Sequence, residues 1–145
     1  MQLIGLLLSI LLLTAYYFSS DTAARQEINS AVQLDSVAAS IVIYQRQAAE
    51  YAFNNPGFTG AIPAASLNLP SWYAIPPGIY NYASAGSVYV YYTDNRPGLP
   101  AALYEKSRAT GVGVAKAGFL YTPQGNNTGR ALPAVIANGS LVYAQ

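Results

Sequence analysis

Few residues in this chain could carry covalent chemistry. It contains no Cys and no His, which removes thiol nucleophiles, disulfides, Cys/His metal centres and imidazole general bases together. Gly111-Val112-Gly113-Val114-Ala115-Lys116 has the outline of a phosphate-binding loop. It lacks the G-x-x-x-x-G-K-[ST] spacing, and no hydrophobic strand followed by a long helix flanks it, so it reads as a glycine-containing strand. Asp94 and Glu105 are the only carboxylates after Glu50. Two carboxylates are the minimum for glycoside hydrolysis. Asp94, however, stands in a D-N-R-P-G turn, and Glu105 lies among Lys106 and Arg108, so both read as turn and solvated-face residues. No G-x-S-x-G surrounds a serine, and nothing is present to activate one. No cluster of oxygen ligands suits calcium. Asn126-Asn127-Thr128 and Asn138-Gly139-Ser140 match the N-glycosylation pattern, and both read as turn chemistry. The expectation is a non-enzymatic protein with no catalytic residues, no metal, no cofactor and no small-molecule substrate.

What the sequence has instead is aromatic side chains without charge. It carries 13 Tyr and one Trp in 145 residues, and no charged residue stands between Tyr51 and Thr93. Trp72, Tyr73, Tyr80, Tyr82, Tyr89 and Tyr91 cannot all be buried in so small a domain. One reading is that they cover the edge of the core, each hydroxyl finding a backbone partner. Another is a protein interface, where aromatics are enriched and charges depleted. Stacking on single-stranded nucleic acid would need a basic groove beside the rings. With a net charge of +1, no nucleic-acid partner is expected.

These residues must be positioned by a chain that is 52% hydrophobic and only 9% charged, against roughly 25% charged in an ordinary globular protein. The apolar excess begins at once, with Leu3, Ile4, Leu6, Leu7, Leu8, Ile10, Leu11, Leu12 and Leu13, then Tyr16, Tyr17 and Phe18. A bilayer span needs roughly 20 apolar residues, and the three aromatics fall where an interfacial belt belongs. Residues 1–20 are therefore read as a retained signal anchor. A cleaved signal peptide is the competing reading, with Thr22-Ala23-Ala24 as the small-residue site and Arg25 near the mature start; the chain would then be a secreted or periplasmic hydrolase or carbohydrate-binding protein. A buried soluble helix is a third, and a leucine-rich run on every face disfavours it. The simplest orientation is N-terminus inside, which places residues 21–145 in a bacterial periplasm.

Residues 21–55 read as an amphipathic juxtamembrane helix. Arg25–Phe53 is rich in Ala, Gln, Glu and Leu, and Asn54-Asn55-Pro56-Gly57 is a strong stop. An apolar seam runs through Leu34, Ile41 and Ala48 on one line and Val37, Tyr44 and Tyr51 on the next. The seam could pack on the protein's own sheet or on a partner helix in an oligomer. Residues 56–145 read as a small α+β domain. Its parts are a proline-punctuated connection to Pro77, strands at Ile79–Tyr82 and Ser87–Thr93, and a short helix from Pro100 to near Arg108. A single strand over Val112–Tyr121, a loop at 125–129 and a hairpin turning at Asn138-Gly139 complete it. Val88, Val90 and Tyr92 should face one side of the sheet and Tyr89 and Tyr91 the other. The whole is an α+β fold: a long N-terminal helix (membrane anchor plus amphipathic extension), then a small antiparallel sheet with a short helix.

The apolar start, the amphipathic continuation, Leu69-Pro70-Ser71-Trp72-Tyr73 and Pro77-Gly78-Ile79-Tyr80 together resemble the PilM family of plasmid-encoded thin (type IVb) conjugative pili, over the full length. That resemblance implies a single-pass inner-membrane component of a pilus basal body or pilin-transport apparatus, acting in plasmid conjugation. Its partners would be other pilus-assembly proteins, with a homo-oligomer as a further option. The resemblance brings no catalytic residues. A minor pilin would combine similar elements, but the leader charge and the early glutamate of that class are missing here, the first Glu being Glu27.

Overall fold

A computed structural model describes the backbone of residues 2–145 and the side chains of residues 7–16 and 25–145. The first helix, α1, spans Gln2–Asn54. No Pro or Gly interrupts it after Gly5, and its hydroxyls bond back to the preceding turn: Thr14 to Ile10 O (2.9 Å), Ser30 to Gln26 O (2.8 Å), Ser40 to Ser36 O (3.0 Å). Its end is capped as the Asn54-Asn55-Pro56-Gly57 signal predicts. The backbone N–H and the side-chain amide of Asn55 both donate to Tyr51 O, at 3.0 and 2.8 Å, which satisfies a carbonyl the helix leaves without a partner.

The chain divides into two compact units, Met1–Gln33 and Leu34–Gln145. The first is helical throughout its described length. Leu7, Leu8, Ile10–Leu13 and Tyr16 are each at least half exposed there. Leu3, Ile4, Leu6, Tyr17 and Phe18 have side chains outside the described residues. Among the described residues no helix is long and apolar enough to cross a membrane; residues 7–16 alone fall short of the roughly 17 that a span requires.

In the second unit six strands form one antiparallel sheet: β1 (Ile79–Ser84), β2 (Ser87–Tyr92), β3 (Val112–Lys116), β4 (Phe119–Tyr121), β5 (Asn127–Ala131) and β6 (Leu141–Ala144), in the order β1-β2-β6-β3-β4-β5. A short helix, α2 (Leu99–Ser107), carries Pro100 in its first turn. The strand alternation of Ser87–Tyr92 sorts the sheet into two faces. Val88, Val90 and Tyr92, with Ile79 and Ala83, pack under Ala38, Ile41, Tyr44, Ala48 and Ala52 of α1 and Leu99 and Leu103 of α2. Tyr89, Val142, Ala144, Ala115 and Leu120 form a smaller cluster with Ile136 on the opposite face. The α+β class is as expected, and the seam residues Leu34, Val37, Ile41, Tyr44, Ala48 and Tyr51 all lie in or against the first cluster.

Three local expectations are corrected. Val112–Tyr121 is not one strand but the hairpin β3–β4, reversed at Ala117-Gly118, where φ is +50° and +77°. Two positive φ values in succession make a type I′ turn. Ala at its first position carries no sequence signal, because alanine rarely adopts that conformation. The region read as a loop tip at 125–129 contributes β5. Residues 134–137 are not a strand, so Asn138-Gly139 does not close a hairpin. It is an isolated turn with Ser140 N–H donating to Ala137 O (3.2 Å) and a positive φ at Gly139 only, the type II pattern.

Candidate functional site

The residues with the outline of phosphate or acid–base chemistry are accounted for structurally. Gly111 and Gly113 form no anion cradle. A Cβ on Gly111 would collide with Ala144 O, and one on Gly113 with Tyr121 O. They are glycines because strand backbones pass too close for a side chain. Lys116 points outward with its Nζ 5.5 Å from the Tyr121 ring centroid. Asp94 accepts two bonds from Arg96, at 3.1 and 2.9 Å, within its turn, and this carboxylate raises the Arg96 pKa. Glu105 is exposed on α2, whose Lys106 pairs with Asp35 at 2.7 Å. Among the described residues no group of three or more metal-ligating side chains occurs. A groove of about 340 Å³ lies beside Ala49, Ala52, Phe53 and Val88, lined mostly by apolar atoms, with Glu50 its one acidic side chain.

The six aromatics do not form one patch. Tyr73 packs against the helix-side cluster and donates its hydroxyl to Ser40 O at 2.8 Å. Burial, and then the nearby Tyr44, push its pKa up to about 12. Trp72 meets Tyr73 edge-on at 6.2 Å and is 73% exposed. A large ring is thus presented to solvent on a tethered neighbour. Tyr80, Tyr82, Tyr89 and Tyr91 instead share the opposite face as two cross-strand pairs, Tyr80 with Tyr91 and Tyr82 with Tyr89. Tyr80 and Tyr91 stack at 5.6 Å and 28°, and Tyr80 is 51% exposed. Tyr89 is buried, under the Arg130 guanidinium at 5.5 Å from its ring centroid. Arg130 also donates to Ala144 O at 3.4 Å.

Sequence reasoning missed three polar residues that matter here. Asn81 is buried: its Oδ1 accepts from Ile62 N–H (2.6 Å), and its Nδ2 donates to Ile62 O (3.0 Å) and Tyr44 OH (2.7 Å). It ties α1, β1 and the connection together, and strand parity with Ile79 was the available signal. Burial raises the Tyr44 pKa, and the Asn81 bond partly offsets the rise. Gln45 is 1% exposed, and neither amide atom has a hydrogen-bond partner among the described residues. Arg130 was assigned to no site because its strand was not anticipated.

The PilM family model matches residues 8–144. The chain resembles a crystal structure of protein PilM from Escherichia coli B7A at 23% identity, covering 80% of this chain and 94% of that one, with a TM-score of 0.63. It also resembles a crystal structure of a pilM protein from Pseudomonas aeruginosa 2192 at 37% identity, covering 77% and 92% of the two chains, with a TM-score of 0.47. No curated protein matches the sequence. The E. coli likeness bears on the fold, and the family match extends over nearly the whole chain: this protein belongs to the PilM family, and its role is pilus-related.

Proposed function

We propose that the protein is a non-enzymatic, single-pass inner-membrane component of a thin type IV pilus assembly apparatus serving plasmid conjugation, with residues 34–145 docking other pilus proteins in the periplasm. Family membership carries the pilus assignment. The membrane part is supported by Leu7–Tyr16, helical and lined with exposed leucines. There the Thr14 hydroxyl is already satisfied by Ile10 O and Leu11 O, so little polar group is left to desolvate in lipid. The uncharged residues on either side, Met1–Ser20 in all, bring the run to spanning length. Docking is supported by Trp72. Tryptophan is enriched among the residues that dominate interface energy, and this one is 73% exposed and outside the core cluster.

Alkaline carbonate extraction of membranes, with N-terminal sequencing of the recovered chain, tests the anchor. The expected result is an intact N-terminus in the membrane pellet. A soluble periplasmic chain starting near Arg25 would overturn it.

A further inference from the structure

We propose that the chain self-associates head to tail, the β3–β4 tip of one copy, with Lys116 and Phe119, seating in the groove beside Glu50 and Phe53 of the next. The contact uses neither the N-terminal apolar run nor the Trp72 surface.

The two halves of this contact lie at opposite ends of the strands. Val88 and Gln145 exchange backbone bonds at 2.9 Å, and both line the groove together with Ala49, Ala52, Phe53 and Gly86. Along β6 the chain pairs from Ala144, opposite Tyr89, to Leu141, opposite Tyr92 and Val114. β3 continues beyond that point to Lys116 and reverses at Ala117-Gly118. The groove therefore opens at one end of the sheet, and the tip projects from the other. Lys116 and Phe119 are directly opposed across the hairpin, so their side chains share one face. Lys116 is exposed, and Phe119 is 40% exposed.

Charge matches the halves. Of the carboxylates in residues 34–145, Asp35 and Asp94 are engaged by Lys106 and Arg96. Glu50 is exposed and makes no ion pair among the described residues, neither with Arg46 one helical turn earlier nor with another cation. Besides the apolar groove, Glu50 borders a polar hollow of about 100 Å³ edged by Gln47, Asn54 and Ser66. No Lys or Arg lines either. Gln47 Oε1 is buried without a hydrogen-bond partner among the described residues. An ammonium carries three donors and no acceptor, so one lysine can serve the carboxylate and an unpaired amide oxygen together. Lys116 has the Tyr121 ring at 5.5 Å and no carboxylate partner among the described residues. A calcium ion would need six to eight oxygen ligands, and Glu50 is the one carboxylate side chain bordering either hollow.

Shape matches them too. The groove, at about 340 Å³, is near the lower limit of about 300 Å³ for ligand pockets, which suits one aromatic side chain rather than a helix. Phe53, 86% exposed at its rim, offers Phe119 a ring to pack on, and aromatic pairs are favourable beyond the area they bury. A contact between two different surfaces is heterologous, so it repeats from copy to copy into a ring or a filament.

The test is zero-length carbodiimide cross-linking of the full-length chain in detergent, with heavy-isotope-labelled and unlabelled copies mixed, read by mass spectrometry alongside sedimentation velocity. The expected result is a Glu50–Lys116 link between labelled and unlabelled peptides, in species that grow beyond a dimer with concentration. Lys116→Glu and Glu50→Lys, both at exposed positions, each oppose like charges and should weaken self-association at least tenfold. Mixing the two variants should restore it, because the reversed tip of one meets the reversed groove of the other. Phe119→Ser should weaken it severalfold with every charge intact, and Trp72→Ala should leave it unchanged. The inference is overturned by the absence of an intermolecular link between positions 50 and 116, by a dimer that never grows, or by charge variants that associate like the wild type or do not recover when mixed. Trp72-dependent pilus assembly without this link would remove self-association alone. The link together with Trp72-independent assembly would remove the docking reading alone.

Discussion

The two faces of the sheet are written by the same alternating strands and end in opposite states. On the helix side, Val88, Val90 and Tyr92 are closed over by α1 and α2, and Asn81 links Tyr44 to Ile62. On the other side, Tyr89 is buried under Arg130, but Tyr80 stays half in solvent, stacked on Tyr91. Tyrosine therefore does two jobs in one hairpin. Where helices cover it, as at Tyr92, the ring is packed in the core. Where it is half exposed, as at Tyr80, the ring is a surface feature with little to contribute to folding. Changes on the closed face should move stability, and changes at the half-exposed Tyr80 ring should not.

The sharpest way to break this contrast is Asn81→Ala. It strands Ile62 N–H, Ile62 O and the Tyr44 hydroxyl in the interior, and should cost about 3 kcal/mol in a denaturant titration. A loss under 1 kcal/mol would mean the network is not structural. Gln45→Met runs the other way. Both amide atoms of Gln45 are buried without partners among the described residues, so an apolar side chain of similar length should raise stability by about 1–2 kcal/mol; destabilisation would reveal a bound partner for that amide.

Tyr73→Phe removes one bond to Ser40 O and should cost about 1 kcal/mol at neutral pH. It should also change the alkaline limb. The folded-state pKa near 12 exceeds the ordinary 10, so the folded state holds this proton longer than the unfolded one. The resulting stability is intact below pH 10 and is lost as pH rises toward 12. Melts between pH 9 and 12 should therefore decline less steeply in the phenylalanine variant. The smallest effects belong to the exposed rings: Tyr80→Ser and Trp72→Ala should shift unfolding free energy by no more than about 0.5 kcal/mol. A larger loss from either would move that ring into the core.

Much of the closed face was legible in the sequence. The seam from Leu34 to Tyr51 follows helical spacing, and Ser87–Tyr92 alternates at the period of a strand, so both assign their buried residues without a structure. The open face was only half legible. Its tyrosines were visible, but Trp72 and Tyr73 were grouped with them, and the structure packs Tyr73 against the helix-side cluster with the exposed Trp72 edge-on to it. Arg130 was hidden because β5 is short, polar and glycine-containing, and its pairing depends on Ala117-Gly118 reversing the chain. Alanine in a left-handed conformation is imposed by the strands on either side of it, which no local pattern announces.

The account holds that this domain exists to dock. A photo-crosslinking amino acid at position 72, during pilus assembly in cells, tests that most directly. Cross-links from position 72 to another pilus-assembly protein, identified by mass spectrometry and absent from the exposed control position Gln124, are the predicted result. Cross-linking no greater than at that control, with pili still assembling, would contradict it.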